Sequence, residues 1–377
     1  MKVAPADSST PRIFRRVCSP VSTIMAASAA ARLCATALVV VGALGAARAA
    51  SAADKGARRA AAATSVVGIN LGNVLEEAVE RPAPHDAEER FFDAYKAAGF
   101  GLVRVPVRWD NHTLRAAPYT VDPVFLARVA EVAGWATSRG LRAIVNSHHD
   151  DWLDVADDAA FNASLPRFVA IWQQVADHFA GASPLLAFEV FNEPHLMSLA
   201  SLNAMQAAVH AVVRVQHPTR TLIICGLAFE GPWWLLSPAA QGLALPTLAG
   251  GADDPALTLE VHDYDPFGFA SPPFSIFSWG TAADVKKAHD ALANVTAWAL
   301  ARRPPPAPPL PVILGEFAVS SLQTNSTARL MWFSVMAQAA RDAGFDAFAI
   351  WDDGGWFTTL DRVSATWDTA VLTAIGA

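Results

Sequence analysis

Phe188-Glu189-Val190-Phe191-Asn192-Glu193-Pro194 begins as a bulky apolar run and breaks within two positions into an amide, a carboxylate and a proline. Leu314-Gly315-Glu316-Phe317 repeats the figure much later, an apolar run meeting a glutamate. Working outward from these two stretches, β-branched or aromatic runs, theirs included, stand near 66–71, 101–107, 142–147, 185–191, 221–226, 257–262, 311–314 and 346–351. Amphipathic stretches of helical period separate most of them, among them 122–139, 162–180, 198–215, 281–301 and 326–343. Asp122-Pro123, and Thr281 followed by Asp284, are helix start signals. Pro166 is expected in the first turn of its helix, where proline is tolerated. Strand then helix, repeated eight times, predicts an α/β fold with a parallel sheet. Eight units favour a closed (β/α)₈ TIM barrel over an open sheet, and no G-x-G-x-x-G turn is present. The proline-rich run from Arg302 to Pro311 reads as a stiff helix-to-strand connection inside one barrel spanning residues 66–377.

A barrel of this kind places chemistry at the C-terminal ends of its strands, so unusual polar residues should gather there. They do. Arg104 leads to Trp109-Asp110; Asn146-Ser147-His148-His149-Asp150-Asp151-Trp152 ends the third run; Asn192-Glu193-Pro194-His195 ends the fourth. His262-Asp263-Tyr264-Asp265, Gly315-Glu316-Phe317 and Trp351-Asp352-Asp353-Gly354-Gly355-Trp356 end the sixth, seventh and eighth. Glu193 and Glu316 close the fourth and seventh strands, which face each other across the mouth, so their carboxylates can converge on one bond. Hydrolysis of a glycosidic bond with retention needs such a pair, about 5–5.5 Å apart, with one carboxyl protonated and the other ionised.

Twelve tryptophans give a second argument. Trp109, Trp152, Trp233, Trp234, Trp279, Trp351 and Trp356 fall in or beside strand-end loops, where an indole can stack on the apolar face of a sugar. Trp135, Trp172, Trp298 and Trp332 lie on helical stretches, where core packing is expected.

The first 49 residues read as a leader. Arg12, Arg15, Arg16 and Arg32 precede the uncharged run Leu33–Ala47, shorter than the roughly 20 residues of a membrane span, and Ala47-Arg48-Ala49 resembles a cleavage site. Met25 is an alternative start, residues 50–65 read as a short linker, and export is expected, with organelle targeting as the alternative. Without the leader the chain carries 22 basic and 34 acidic residues. That balance repels nucleic acid and anionic lipid and suits a neutral substrate. Cys18 and Cys34 belong to the leader, and Cys225 reads as a buried, inert thiol. Sequons at Asn111, Asn162, Asn294 and Asn325 would be glycosylated in a eukaryotic secretory route.

With these features in place, the sequence resembles glycoside hydrolase family 5, the cellulase and endoglucanase-like group of retaining barrel glycosidases. The motifs run in order: Gly68-Ile69-Asn70-Leu71-Gly72-Asn73, Val103-Arg104-Val105-Pro106, Asn146-Ser147-His148-His149, Phe188 to Pro194, His262-Asp263-Tyr264, Leu314 to Phe317, and Trp351 to Gly355. The resemblance implies Glu193 as acid/base and Glu316 as nucleophile. It implies Asn192 on the sugar 2-hydroxyl, Arg104 and Tyr264 bracketing Glu316, His148 and His262 lining the reactive subsite, and Trp351 as the stacking floor. His149, Asn73 and Glu76, together with Trp152 and Trp234, are further candidates for substrate binding. The Phe- and Pro-rich loop 265–280 matches least and carries the question of substrate. β-1,4-Glucan is the first expectation; mannan, xyloglucan and mixed-linkage or β-1,3-glucan are the others. A monomer without metal or organic cofactor is expected, its partner a β-linked polysaccharide, with no membrane in the mature form.

Other classes fit less well. His148-His149-Asp150-Asp151 could be metal ligands, but Asn70-Leu71-Gly72-Asn73 stands where barrel metallohydrolases carry His-x-His, and His-Glu-x-x-His is absent. A Schiff-base lyase needs a strand-end lysine, and Lys96, Lys286 and Lys287 fall on expected helices. No Gly-x-Ser-x-Gly elbow is present. A non-catalytic carbohydrate binder would have no need of the paired glutamates.

Overall fold

Runs of Val, Ile, Leu and Phe too short for helices and buried on both faces form the strands of a parallel barrel. The computed structural model describes residues 65–80 and 86–377. The leader, Met25, Cys18, Cys34 and all but the last residue of the 50–65 linker lie outside the described residues. The strands are β1 (Val66–Asn70), β2 (Leu102–Val105), β3 (Arg142–Asn146), β4 (Leu186–Glu189), β5 (Leu222–Cys225), β6 (Leu257–His262), β7 (Val312–Phe317) and β8 (Ala347–Ile350). Each pairs in parallel with the next, and β8 returns to β1 with Val66 opposite Ala347 and Ile69 opposite Ile350. All eight fall where the sequence places them.

Around the barrel lie α1 (Glu89–Ala97), α2 (Pro123–Ser138), α3 (Asp158–His178), α4 (Leu199–Gln216), α5 (Ala282–Arg302), α6 (Ser326–Ala343) and α7 (Thr369–Ile375). Local chemistry sets their starts. Asp122 accepts from the Val124 N–H with Pro123 behind it, and Thr281 and Asp284 form a reciprocal capping box. Two expectations need correcting. α3 begins at Asp158, because Asp157 accepts from the N–H groups of Ala159 and Ala160; Pro166 therefore sits inside the helix, where it removes one backbone bond. Strand and helix also do not alternate throughout. Between β5 and β6 a short helical turn, Pro232–Leu235, and a 3₁₀ turn, Pro238–Gly242, take the place of a helix, since Pro232 and Pro238 punctuate that segment.

The base of the barrel is filled by Leu102, Ile144, Ile223, Ile313, Ala347 and Ala349. Gly68 on β1 admits the Leu102 side chain, which a Cβ there would meet at 2.7 Å. Trp172 and Trp332 are fully buried between helix and sheet. Cys225 is buried on β5, its thiol raised well above the ordinary value, first by burial and then by neighbouring carboxylates. No helix among the described residues is long and apolar enough to cross a membrane.

Candidate active site

Arg104 is the hub. It points inward from β2, is wholly buried, and spends its donors on four residues. Nε and Nη2 hold Glu189 at 2.6 and 2.7 Å, Nη1 reaches Asn70 at 2.9 Å and Glu316 at 2.6 Å, and Nη2 donates to Asn192 at 2.7 Å. Asn70 uses its amide to donate to the carbonyls of Gly315 and Ile350, tying β1 to β7 and β8. Such pairing is what makes a buried guanidinium tolerable.

Glu316 is buried at the end of β7. Burial by itself would raise its pKa; the positive charges of His262 and Arg104 and the bonds from Tyr264 and Arg104 outweigh that and hold it below the usual carboxylate range. Tyr264 donates its hydroxyl to Glu316 Oε2 at 2.8 Å and is steadied by an edge contact with Phe357. Glu193 stands across from it on the β4 loop, half-buried, in left-handed backbone at φ 50°. His262 Nδ1 donates to Glu193 Oε1 at 2.8 Å and lies 3.7 Å from Glu316 Oε2. Burial opposes charge on His262, yet the charges of Glu316 and Glu230 and the bonds to Glu193 and Glu260 lift its pKa well above the imidazole range. One carboxylate oxygen of Glu193, one of Glu316 and a ring nitrogen of His262 all lie within 4.8 Å of one another.

The floor is built beside them. Trp351 leaves β8 half-buried, its ring parallel to that of His148 at 5.8 Å. Gly72 makes room for it, since a Cβ there would meet the indole at 2.7 Å. Asp352 and Arg362 lock the strand end, Arg362 donating to the carbonyls of Gly72 and Asp352. His148 is buried and its pKa falls well below the ordinary value, chiefly by desolvation and then by His149, Arg104 and His262. It is thus a neutral ring. His149, in left-handed backbone, is exposed and stands edge-on to His148 at 4.4 Å. Asn73, also left-handed and half-buried, sits on the β1 loop.

Four of the candidates are engaged by the protein itself. Glu76 is buried with its oxygens on the backbone N–H groups of Asn73 and Val74, so it shapes the loop. Trp234 is buried over Gly226, whose Cβ would strike its ring at 2.7 Å. Trp152 has one face under the Arg167 guanidinium at 4.3 Å and its N–H on Asp150. Trp109 is fully buried, donating to the Asn146 carbonyl at 2.9 Å. Trp109 and Trp234 are scaffold, while Trp152 is half-buried. Trp233 and Trp356 are instead 59% and 56% exposed, and Trp356 is presented by a backbone carbonyl that accepts from Ser320 and Ser321. Asp150 accepts from the backbone of Trp109 and Asp110. Among the described residues, the donor sets close enough to share an ion are Glu193–His262–Glu316 and Glu230–Glu260–His262, and neither draws on 148–151. In both, the His262 imidazolium already supplies positive charge.

Sequence reasoning missed three buried carboxyls beneath the site. Glu189 ends β4, and burial pushes it up to about 7 against the pull of Arg104. Glu260 on β6 lies 3.4 Å from Arg104 and 3.5 Å from His262. It explains Gly315, where a Cβ would fall 1.5 Å from Glu260 Oε1. Glu230 follows β5, and burial raises it well above the carboxylate range. The available signal was a charge inside an apolar run, unexplained unless a partner such as Arg104 lies opposite.

The family model for cellulase (glycosyl hydrolase family 5) matches residues 65–354. The chain belongs to glycosyl hydrolase family 5. Among the family's members it is similar to Endoglucanase H of Acetivibrio thermocellus, 37% identical over 82% of this chain and 32% of that protein. Endoglucanase A of Ruminococcus albus is 26% identical over 81% of this chain and 88% of its own length. The chain thus spans about a third of the first relative and most of the second. The endoglucanase Cel5A of Thermotoga maritima, solved in complex with mannotriose, superposes with a TM-score of 0.72 at 26% identity, covering 84% of this chain and 99% of that one. The same protein has been solved, as a mutant form, in complex with cellobiose. In this family member the closed barrel carries Glu316 at the end of β7 and Glu193 on the loop that follows β4.

Proposed function

We propose that the chain is a retaining endo-β-glycosidase with Glu193 as acid/base and Glu316 as nucleophile, acting first on β-1,4-glucan. The observation that carries this reading is the approach of a carboxylate oxygen of Glu193 to one of Glu316 within 4.8 Å, which suits the close pair of a retaining mechanism better than the wider pair of an inverting one. Glu316, kept ionised by Arg104 and Tyr264, attacks the anomeric carbon while Glu193 gives its proton to the departing oxygen. Water then enters, Glu193 takes its proton, and the glycosyl ester to Glu316 breaks. Asn192 has its carbonyl oxygen engaged by Arg104, which leaves its amide N–H₂ to hold the sugar 2-hydroxyl. Trp351 lies under the reacting sugar, and His148, His149 and Asn73 line the subsite.

Exposed aromatics on the loops after β5 and β8, Phe229, Trp233 and Trp356, suit an open cleft that grips a polymer on both sides of the cut. The endoglucanase names of the relatives support a β-1,4-glucan; the mannotriose complex of the Thermotoga maritima protein makes β-mannan the second reading. A leader over residues 1–49, export, and a barrel working as a monomer complete the proposal, on the basic-then-apolar pattern of that segment. The test is reducing-sugar release on a panel of β-glucans and β-mannans, wild type beside Glu316→Ala. Activity on one polymer, reduced about 10⁴-fold or more in the variant, is the expected result. Binding without turnover on every polymer would overturn it.

A further inference from the structure

Ala228, Phe229 and Glu230 all adopt left-handed backbone, at φ 58°, 59° and 58°, and none is glycine. Each such residue costs on the order of 1 kcal/mol or more, and a run of three persists only where its surroundings impose it. The turn closes on itself through the Gly231 N–H to the Ala228 carbonyl, and it aims two side chains in opposite directions.

Glu230 goes inward and is 1% exposed. Its Oε1 accepts the backbone N–H of Glu193 at 2.7 Å, and its carbonyl accepts the backbone N–H of His262 at 3.2 Å. Its Oε2 faces His262 Nε2 at 3.7 Å. One residue thus holds the backbones of both members of the Glu193–His262 pair. Phe229 goes outward and stacks on His195, ring centroids 4.2 Å apart and 16° from parallel. His195 in turn donates to the Glu193 carbonyl at 2.9 Å. The turn therefore grips Glu193 by its N–H through Glu230 and by its C=O through Phe229 and His195. Glu193 is itself left-handed and precedes Pro194, so its backbone has little to hold it locally.

We propose that Glu230 is a positioning residue for the acid/base: it fixes the strained backbone of Glu193 and the seat of His262, so that the Glu193 carboxyl is aimed at the leaving-group oxygen. This rests on the assignment of Glu193 made above. The groups facing Glu230 are Cys225 on β5, Glu189 and Glu193 from β4, and Glu260 and His262 on β6, with Arg104 behind Glu189. Burial among them raises its carboxyl well above the carboxylate range, against the pull of His262. What Glu193 needs from it is an acceptor oxygen, which a glutamine also offers.

The experiment compares Glu230→Ala, Glu230→Asp and Glu230→Gln with Glu193→Ala, each on a soluble β-1,4-glucan and on 2,4-dinitrophenyl β-cellobioside. The dinitrophenolate departs without a proton, so aim at the leaving oxygen matters only for the glucan. Ala and Asp are expected to lose about tenfold or more in kcat/KM on the glucan and less than about threefold on the activated glycoside. Gln restores most of the loss. Equal losses on the two substrates, no loss in either Ala or Asp, or a Gln variant no better than Ala would overturn the proposal. Should Glu193→Ala itself lose equally on both substrates, the acid/base assignment falls instead, and the two failures are told apart by that control. The Asp variant, which keeps the carboxyl but shortens its reach, answers the question if Ala does not fold.

Discussion

At the base of the barrel β2, β3, β5, β7 and β8 meet through Leu102, Ile144, Ile223, Ile313, Ala347 and Ala349, while nearer the mouth β2, β4 and β6 present Arg104, Glu189, Glu260 and His262, all as deeply buried. The apolar layer is stabilised by area removed from water and tolerates small changes of shape. The polar layer is stabilised only while every charge keeps its partner, because each is costly alone. Five carboxyls (Glu189, Glu193, Glu230, Glu260, Glu316) share two cations; burial pushes Glu189 and Glu230 towards the neutral form, while His262 and Arg104 hold Glu316 towards the ionised one. Burial is equal in the two layers. The upper layer's cost is what holds Glu316, the proposed nucleophile, towards its ionised form.

The largest difference should come from deleting the hub. Arg104→Leu takes from the buried Glu189 and Glu316 the guanidinium that bonds both and is expected to cost about 3–5 kcal/mol and to remove turnover, whereas Ile223→Val in the base should cost about 1 kcal/mol with kcat/KM unchanged. Denaturant unfolding and initial rates of the two variants measure both. Equal activity losses would erase the distinction between the layers. A smaller effect is expected from Tyr264→Phe, which takes from Glu316 a bond that favours its charge. Activity requires ionised Glu316 and is lost as pH falls through its pKa; the depressed value puts that limb at low pH. Without the Tyr264 bond the pKa rises, so the acid limb of kcat/KM moves to higher pH, and the rate at the optimum drops about tenfold to a hundredfold. An unmoved limb would contradict Tyr264's role.

The smallest effect concerns Asp263, just beyond His262, which burial raises from 3.8 to about 7. Its neutral form is favoured in the folded state, so the folded chain binds more protons than the unfolded one between those values, and stability falls as pH rises through that window. Asp263→Asn keeps the oxygen that accepts from the Asp265 N–H and cannot ionise. Its melting temperature relative to wild type should climb from pH 4 to pH 7, as followed by calorimetry, and a constant offset would show that Asp263 titrates normally.

The same contrast explains what the sequence could and could not disclose. The eight strands are legible because their apolar runs are short and end in polar clusters, and Glu193, Glu316, Arg104, His262, Tyr264 and Trp351 are legible because they stand at those ends. Glu189, Glu230 and Glu260 are not, since a charge within or behind an apolar run acquires meaning only from a partner on another strand. The tryptophans divide for a similar reason. Trp109, Trp152 and Trp234 lie beside strand ends just as Trp233 and Trp356 do, but the chain folds back so that Trp109 and Trp234 are buried and Trp152 is half-covered under Arg167, and local sequence does not encode that return. The start of α3 was hidden because Pro166 looks like a first-turn residue until the Asp157 cap is seen.

The central claim, that Glu193 and Glu316 act on one bond by double displacement, is tested most directly by the configuration of the first product. Proton NMR of a cello-oligosaccharide digest, recorded before mutarotation, should show the β-anomer of the new reducing end appearing first. The α-anomer appearing first would mean inversion, and would contradict the nucleophilic role of Glu316 and the reading of the 4.8 Å approach on which it rests.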